Sequence, residues 1–395
     1  IVELYKRSLL IVRSQIDYDG AIIAANDTDV AEVARDHYSY MWPRDGALVA
    51  QALDHAGYRE ATRRFYALVG TLVEPEGYLL HKYNPDGTLA SSWHPWADAS
   101  GNPLLPIQED ESALCVYGLW EHFDVHRDVE YLRPLHRQLV RPIAEFMVAF
   151  RDPHTGLPAP SFDLWEERHG IHAWTIGTVW AGLEAAARFA ALFGETANAQ
   201  RYRQAACEIH AATLRHLWSE EHGSFARMVT VDQEGKVHRH HVPDSSIYGL
   251  IRFGMIAADD PRAVSTMRSL REQLTCKTPI GGVARYRNDY YYQVVGDIDT
   301  VPGNPWFICT LWMAEYDVMT ARSLDDLARV RETLEWVQRR ALRSGALAEQ
   351  VHPLTGAPLS VSPLTWSHSS LVGLVDGYLA RRQALLGQRG ASGVA

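Results

Sequence analysis

Two carboxylate-bearing segments, far apart in the chain, hold the residue types that acid–base chemistry needs. The denser is Ser161-Phe-Asp-Leu-Trp-Glu-Glu-Arg-His169, where Glu166 and Glu167 adjoin Trp165 just ahead of an apolar helical pattern. An acidic pair at a helix start can simply complement the positive end of the helix dipole. The catalytic reading is different: an apolar neighbour such as Trp165 raises a Glu pKa, and repulsion from Glu167 pushes the same way. A carboxyl still protonated near neutral pH is what a glycosidic leaving oxygen requires. The second segment is Gly345-Ala-Leu-Ala-Glu349-Gln350, followed by Pro363-Leu-Thr-Trp-Ser-His368. Glu349 lies 183 positions after Glu166 (349 − 166), so only the fold can bring the two together. Alone it reads as an ordinary loop residue. Like Glu166, it sits in a long loop beside a helix.

Other loops carry polar and aromatic groups suited to a neutral, hydroxyl-rich ligand. Asp36-His-Tyr-Ser-Tyr-Met-Trp-Pro-Arg44-Asp45 precedes an apolar helix, and Asp45 there reads as an N-cap. The same stretch sets an Arg–Asp pair among Tyr38, Tyr40 and Trp42. Pyranose rings offer apolar C–H faces for stacking and hydroxyls for bidentate polar groups. Trp93, His94, Trp96 and Pro106-Ile-Gln-Glu109-Asp-Glu111 follow, then Gly281-Gly-Val-Ala-Arg285, the Tyr290–Tyr292 run and Gly303-Asn-Pro-Trp306. Many of the 12 Trp and 18 Tyr fall in these loops, enough to line a polar-aromatic pocket after core packing absorbs about half of them. The His238, His240 and His241 cluster and the His169 and His172 pair lack metal-ligand spacing, and solvated loop positions are expected for them. There is no G-x-S-x-G, no phosphate-binding glycine loop and no dinucleotide fingerprint.

The elements that must hold these loops are helices. Apolar periodicity predicts helices over 1–15, 46–57, 59–72, 109–124, 128–150, 172–194, 196–218, 245–256, 260–274, 305–320, 324–343 and 364–386, mostly in hairpins with short turns. Asp124–Asp128 supplies caps and Pro261 suits a first turn. The long irregular stretches 73–108, 151–171, 219–243, 275–304 and 344–363 alternate with the helix pairs, as they would if all opened onto one end of a closed helical ring. No linker or composition break interrupts them, which predicts one domain over 1–386 and a flexible tail over 387–395.

Composition bounds the rest. The 395 residues are 47% hydrophobic and 22% charged, and hold no apolar run long enough for a membrane span. Lys plus Arg is 38 against 48 for Asp plus Glu, a net charge of −10, which excludes a phosphate-tracking nucleic-acid binder. Cys115, Cys207, Cys276 and Cys309 form no C-x-x-C pair, so free thiols and a cytoplasmic setting are expected. The start, Ile1-Val2-Glu3, lacks an initiator Met and a signal-peptide apolar core, so trimming upstream or a minimal chain is expected. Nothing in the sequence bears on oligomeric state.

The segments W-P-R-D (42–45), D-L-W-E-E (163–167), G-N-P-W-F (303–307), A-E-Q (348–350) and L-T-W-S (364–367) together resemble the glucoamylase-type inverting glycoside hydrolases. They occur in family order, and the resemblance covers residues 1 to 386. It implies an all-α (α/α)6 barrel of about twelve helices with the long loops forming an active site at one end. It implies Glu166 as general acid and Glu349 as general base, with Glu167, Arg44, Asp45, Leu164, Trp165 and Arg285 holding the terminal glucose. Tyr38 would position water, and Trp42, Trp93, Trp306 and Trp366 would complete the binding surface. Inversion leaves room for that water, with carboxyls about 6.5–9.5 Å apart. No metal or other cofactor is implied. The expected substrate is an α-linked gluco-oligosaccharide attacked from its non-reducing end, with α-1,4 linkage first. The same machinery would serve α-1,6 linkage or trehalose, and a catalytically silent sugar-binding barrel is the reading from another class. Neither an N-terminal β-sandwich nor a starch-binding module is read in the chain, which favours short oligosaccharides over granular starch.

Overall fold

The computed structural model describes residues 1–27, 36–98 and 100–392. The chain alternates between an outer and an inner ring of helices. α1 (Val2–Ser14) is outside, α2 (Pro43–His55) inside, α3 (Arg59–Thr71) outside and α4 (Glu109–His126) inside. Outside again are α5 (Val129–Leu135) and α6 (Arg141–Ala149), joined into one rod by the π-helical residues His136–Val140. α7 (Ala173–Leu192) is inside and α8 (Thr196–His216) outside. The 3-10 turn Ser245–Tyr248 leads into the short inner helix α9 (Gly249–Arg252), followed by the outer α10 (Pro261–Leu274). The inner α11 (Phe307–Thr320), outer α12 (Ala328–Arg340) and inner α13 (Thr365–Ser392) complete the order.

Each inner helix packs on its neighbours: α2 on α4, α4 on α7, α7 on α9, the turn ahead of α9 on α11, α11 on α13, and α13 back on α2. Counting the α5–α6 rod and the 245–252 segment as one helix each, twelve helices form an (α/α)6 barrel among the described residues. Burial follows composition. α7 reads AWTIGTVWAGLEAAARFAAL and is buried on nearly every face, as a helix with neighbours all round must be. α8 buries only Ala199, Tyr202, Ala205, Ala206, Ile209, Ala212 and Thr213, a stripe at three- and four-residue spacing. The inner helices come close enough to demand glycine: a Cβ on Gly177 of α7 would lie 2.6 Å from the Gly249 carbonyl oxygen of α9.

Three expectations need correction. α2 starts at Pro43, not at 46, with Trp42 as N-cap and Asp45 inside the first turn. Proline favours a first helical position because its φ is already helical and its missing N–H goes unused there. The irregular stretches also contain short strands. β1 (Ser161–Phe162), β2 (His169–His172), β5 (Met228–Val231) and β6 (Val237–His240) make one antiparallel sheet in the order β1-β2-β5-β6. Two further ladders join β3 (Trp218–Ser219) to β4 (Ser224–Phe225) and β7 (Gln350–Val351) to β8 (Pro358–Leu359). Runs of this length are too short for a period-two pattern to register in sequence. α13 runs on to Ser392, past the boundary expected at 386, and residues 393–395 of the expected tail lie outside the described residues. α1 packs against α13, where Ser8 Oγ and His368 Nδ1 lie 2.8 Å apart and Tyr5 donates to Asp376 at 3.0 Å.

Candidate active site

The N-terminal ends of α2, α11 and α13 face a pocket of about 290 Å³, and that of α4 meets it through Arg44. The pocket brings together every residue to which the resemblance assigns a role, though not Tyr40, His94, Trp96 or Glu109–Glu111: Tyr38, Trp42, Arg44 and Asp45 come from the first loop and α2, and Trp93 from the second loop. Leu164, Trp165, Glu166 and Glu167 enter from the β1–β2 loop, Arg285 and Trp306 from the stretch before α11, and Glu349 and Trp366 from the last loop and α13. Ala24, Tyr290, Tyr291, Ile308 and Leu364 complete its lining. Of these the tyrosines sit in a run already conspicuous in the sequence, whereas Ala24, Ile308 and Leu364 carry no signal that sets them apart from core residues.

Glu166 is aimed by a tight turn. The Asp163 carboxylate accepts the amides of Glu167 at 2.8 Å and Arg168 at 2.9 Å, while the Asp163 carbonyl accepts that of Glu166 at 2.8 Å. Closing the turn puts Glu166 at φ +63°. That left-handed conformation costs a side-chain-bearing residue about 1–2 kcal/mol, and such strain gathers where geometry serves function. Trp42 Nε1 donates to Glu166 Oε1 at 2.6 Å, and Arg44 Nη2 stands 3.9 Å from the same oxygen. Burial raises the Glu166 pKa above the ordinary carboxylate range, with Arg44, Lys82 and the Trp42 bond pulling it partly back.

Glu349 stands on the far side of the chain but in the same pocket. Its amide donates to Val361 at 2.9 Å and its carbonyl accepts from Phe307, so its backbone is pinned between α11 and the loop ahead of α13. It is only 4% exposed, and burial pushes its pKa up to about 7 against the pull of Ser360, Arg285 and Gln350. Tyr38 and Tyr291 share a 2.8 Å hydroxyl–hydroxyl bond, and the Tyr38 pKa is raised by burial and then by the charge of Glu349. That places the tyrosine pair in the electrostatic field of Glu349.

The two arginines are held differently. Arg44 meets Asp45 at 3.2 Å, Asp110 at 3.4 Å, Glu111 at 3.1 Å and the Gln108 side chain. Trp174 Nε1 donates to Asp110 at 3.0 Å. Burial raises the Asp45 pKa to about 6, with Arg44 opposing. Arg285 grips Asp289 through two 2.7 Å bonds and Glu167 through one of 2.8 Å, and lies over the Trp306 ring at 4.7 Å. Glu167 accepts further from Tyr286 at 2.6 Å and Arg168 at 2.6 Å. Glu167 thus has two guanidinium groups within 2.8 Å, whereas Glu166 has Arg44 at 3.9 Å.

Sequence reasoning missed the layer behind the pocket wall. The Lys82 side chain is fully buried, 3.3 Å from the Trp93 ring centre, 4.3 Å from that of Tyr40 and 3.6 Å from Asp36. Trp93 Nε1 in turn donates to Asp36 at 2.6 Å. A single Lys between His81 and Tyr83 shows no pattern that would single it out. The acidic triplet Glu109-Asp110-Glu111, noted only as loop material, is wholly buried at the start of α4. Helix N-termini converging on the pocket favour such negative charge.

Two groups of donor atoms lie within 4.8 Å of one another and could hold a cation: His81, His94 and Glu166, and Asp54, His122 and His126 at the other end of α2 and α4. In the first, burial drives the pKa of His81 to about 2 and His94 to about 3, so both rings are neutral. His94 Nε2 also lies 3.0 Å from Gln108 Nε2. In the second, Asp54 Oδ1 already meets Thr62 at 2.6 Å, His122 at 2.9 Å and His126 at 3.0 Å.

Chemically, the pocket offers two buried carboxyls of raised pKa from separate loops, an aromatic wall and two fixed guanidinium groups. The profile model of "Glycosyl hydrolases family 15" matches residues 2–330 of this chain. An uncharacterised glycosyl hydrolase of Methanocaldococcus jannaschii is 26% identical over 380 residues, covering 93% of this chain and 55% of its own. A glucoamylase of Clostridium sp. is 26% identical over 406 residues, covering 93% and 52%. A trehalase of Mycobacterium tuberculosis is 24% identical over 375 residues, covering 90% and 51%. The chain spans about half the length of these curated relatives. A bacterial glucoamylase solved with acarbose shares the fold at a TM-score of 0.77 and 22% identity, over 96% of this chain and 55% of that one.

Proposed function

The chain belongs to glycosyl hydrolase family 15, and from that premise we propose that it is an exo-acting, inverting hydrolase that releases β-glucose from the non-reducing ends of α-1,4-linked malto-oligosaccharides. Residues 1–386 are read as one catalytic domain. The observation that carries the reading is a pair of carboxyls, Glu166 and Glu349, that share one pocket and are both driven toward neutral pKa by burial. Glu166 acts as general acid: protonated, it gives its proton to the glycosidic oxygen as the C1–O bond breaks. Glu349 acts as general base: ionised, it takes a proton from the water that forms the new C1–O bond on the opposite face, which inverts the anomeric carbon. Each turnover moves one proton to the leaving alcohol and one onto Glu349, and exchange with solvent restores both groups.

The binding roles follow from charge. Arg44 and Asp45 on one side, and Arg285 with Glu167 on the other, present fixed donors and acceptors to sugar hydroxyls, while Trp42, Trp93, Trp165, Trp306 and Trp366 give C–H faces a surface to stack on. Leu164 closes the wall, and the Tyr38–Tyr291 pair orients the water beside Glu349. A second reading, hydrolysis of trehalose, draws on the similarity to a trehalase.

Proton NMR time courses with maltose, isomaltose and trehalose supplied separately test the proposal. β-Glucose appearing first from maltose supports it, and the same from isomaltose or trehalose moves the linkage to α-1,6 or α,α-1,1. α-Glucose appearing first refutes inversion. Replacing Glu166 or Glu349 by Gln should lower kcat by about 10²–10⁴-fold while sugar still binds. Full activity in both variants refutes the assignment, and no glucose from any substrate points to a binding protein.

A further inference from the structure

A second cavity, about 300 Å³, opens at the other end of the barrel. Its walls come from the C-terminal half of α2, from α4, α9 and α11, and from the N-terminal half of α13. His55 and Met319 stand exposed at its mouth, and its buried lining reaches Trp366, which also lines the catalytic pocket. One indole is thus shared by two pockets of nearly equal volume.

The lining has a definite chemistry. Tyr117, Phe253, Tyr248 and Trp366 supply aromatic surface. The polar groups centre on Arg252, whose Nε lies 3.5 Å from Glu315 Oε2, with the Tyr248 hydroxyl donating to the same oxygen at 3.5 Å. This ion pair is internally neutralised, so neither an anion nor a cation meets uncompensated charge. Three buried polar atoms of the lining, Arg252 Nη1, Ser370 Oγ and Trp366 Nε1, have no hydrogen-bond partner among the described residues. Buried donors of this kind call for a partner, and hydroxyl groups answer both donors and acceptors. Gly373 adds a further mark: a Cβ built there would touch nothing within 4 Å, so the helix surface is open where the cavity lies.

We propose that this cavity is a second, non-catalytic site for a neutral polyhydroxylated ring of monosaccharide size, D-glucose being the candidate. Aromatic faces beside a neutral Arg–Glu pair suit alternating C–H faces and hydroxyls. Naming glucose rests on the proposed hydrolysis; the cavity and its chemistry do not.

Equilibrium dialysis of labelled D-glucose against the whole chain tests this, with Gly373→Leu to fill the cavity and Arg252→Met to remove its polar centre. Each variant is expected to bind one glucose fewer per chain than the wild type. Turnover of whichever disaccharide is hydrolysed should change by no more than about twofold in Gly373→Leu. If Gly373→Leu does not fold, Arg252→Met carries the same count. Equal glucose stoichiometry in the wild type and in the folded variants overturns the proposal and leaves the cavity to water. Because the readout is a lost equivalent of bound sugar, it stands even if none of the disaccharides is cleaved, a result that refutes the hydrolase reading alone.

Discussion

Replacing Trp42 with Phe isolates one interaction of Glu166, the proposed general acid. The indole Nε1 donates to Glu166 Oε1 at 2.6 Å, and the ring sits among Tyr38, Tyr40 and Trp93 at centroid distances of 5.8, 6.0 and 5.6 Å. Phe keeps aromatic contact there and removes the donor. A hydrogen bond to an ionised carboxylate contributes about 1.5–3 kcal/mol and one to a neutral acceptor about 1 kcal/mol, so the ionised form loses about 1 kcal/mol more. At 1.36 kcal/mol per unit this raises the Glu166 pKa by about one unit. Glu166 works protonated, so activity falls as pH rises through that pKa, and the falling limb of kcat/KM should move up by about one unit. The assay is initial glucose release across pH for wild type and variant, with Glu166→Gln as the control that abolishes the limb. A limb that stays in place, or moves down, means that Trp42 does not favour the ionised carboxylate or that Glu166 is not the group titrating there.

Burial also makes Glu349 a liability for stability at higher pH. Its pKa rises from 4.5 to about 7 on folding, so the stability it contributes is fully present below pH 4.5 and is lost as pH rises through 7. Glu349→Gln should therefore gain on the wild type by about 3 kcal/mol between pH 4 and 8, read as a widening gap in thermal midpoints; a gap independent of pH refutes the raised pKa. Arg285→Met strips the partner from Asp289, which is fully buried, and from Glu167. Leaving buried Asp289 without its cation, and Glu167 with Arg168 and Tyr286 alone, should cost about 3–5 kcal/mol in urea unfolding and raise KM. A cost below about 1 kcal/mol would class the pair with solvent-exposed bridges.

Legibility in the sequence tracked how local each cause is. The alternation of inner and outer helices was readable because α7 is apolar on all sides and α8 carries a single stripe, both properties of a short window. The start of α2 was misread because Asp45 is a good N-cap by type, and the Trp-Pro pair ahead of it was given too little weight. The strand pairs were invisible because each depends on a partner many residues away, such as β2 on β5. In the pocket, Arg44, Asp45 and the Trp165–Glu167 run stood out by composition. Glu349 did not: alone it was an ordinary loop acid, and only its fit to a family pattern raised it. Lys82 and the Glu109–Glu111 triplet escaped because their significance lies in what surrounds them, three aromatic rings in one case and Arg44 in the other.

The seam between α1 and α13 has a bearing on how this molecule comes into being. Ser8 and His368 are 360 residues apart in sequence yet lie side by side, so the ring is sealed by segments far apart in the order of synthesis. Until α13 docks, α2 and α11 present bare flanks to each other across an unfilled wedge, and the apolar walls meant for the interior stand open to solvent and to neighbouring chains. Trp366 belongs to α13 itself and Glu349 to the loop just ahead of it. Before α13 docks, a nascent chain has neither the finished pocket nor covered inner walls, and conditions that delay that docking lengthen the interval in which aggregation competes with assembly.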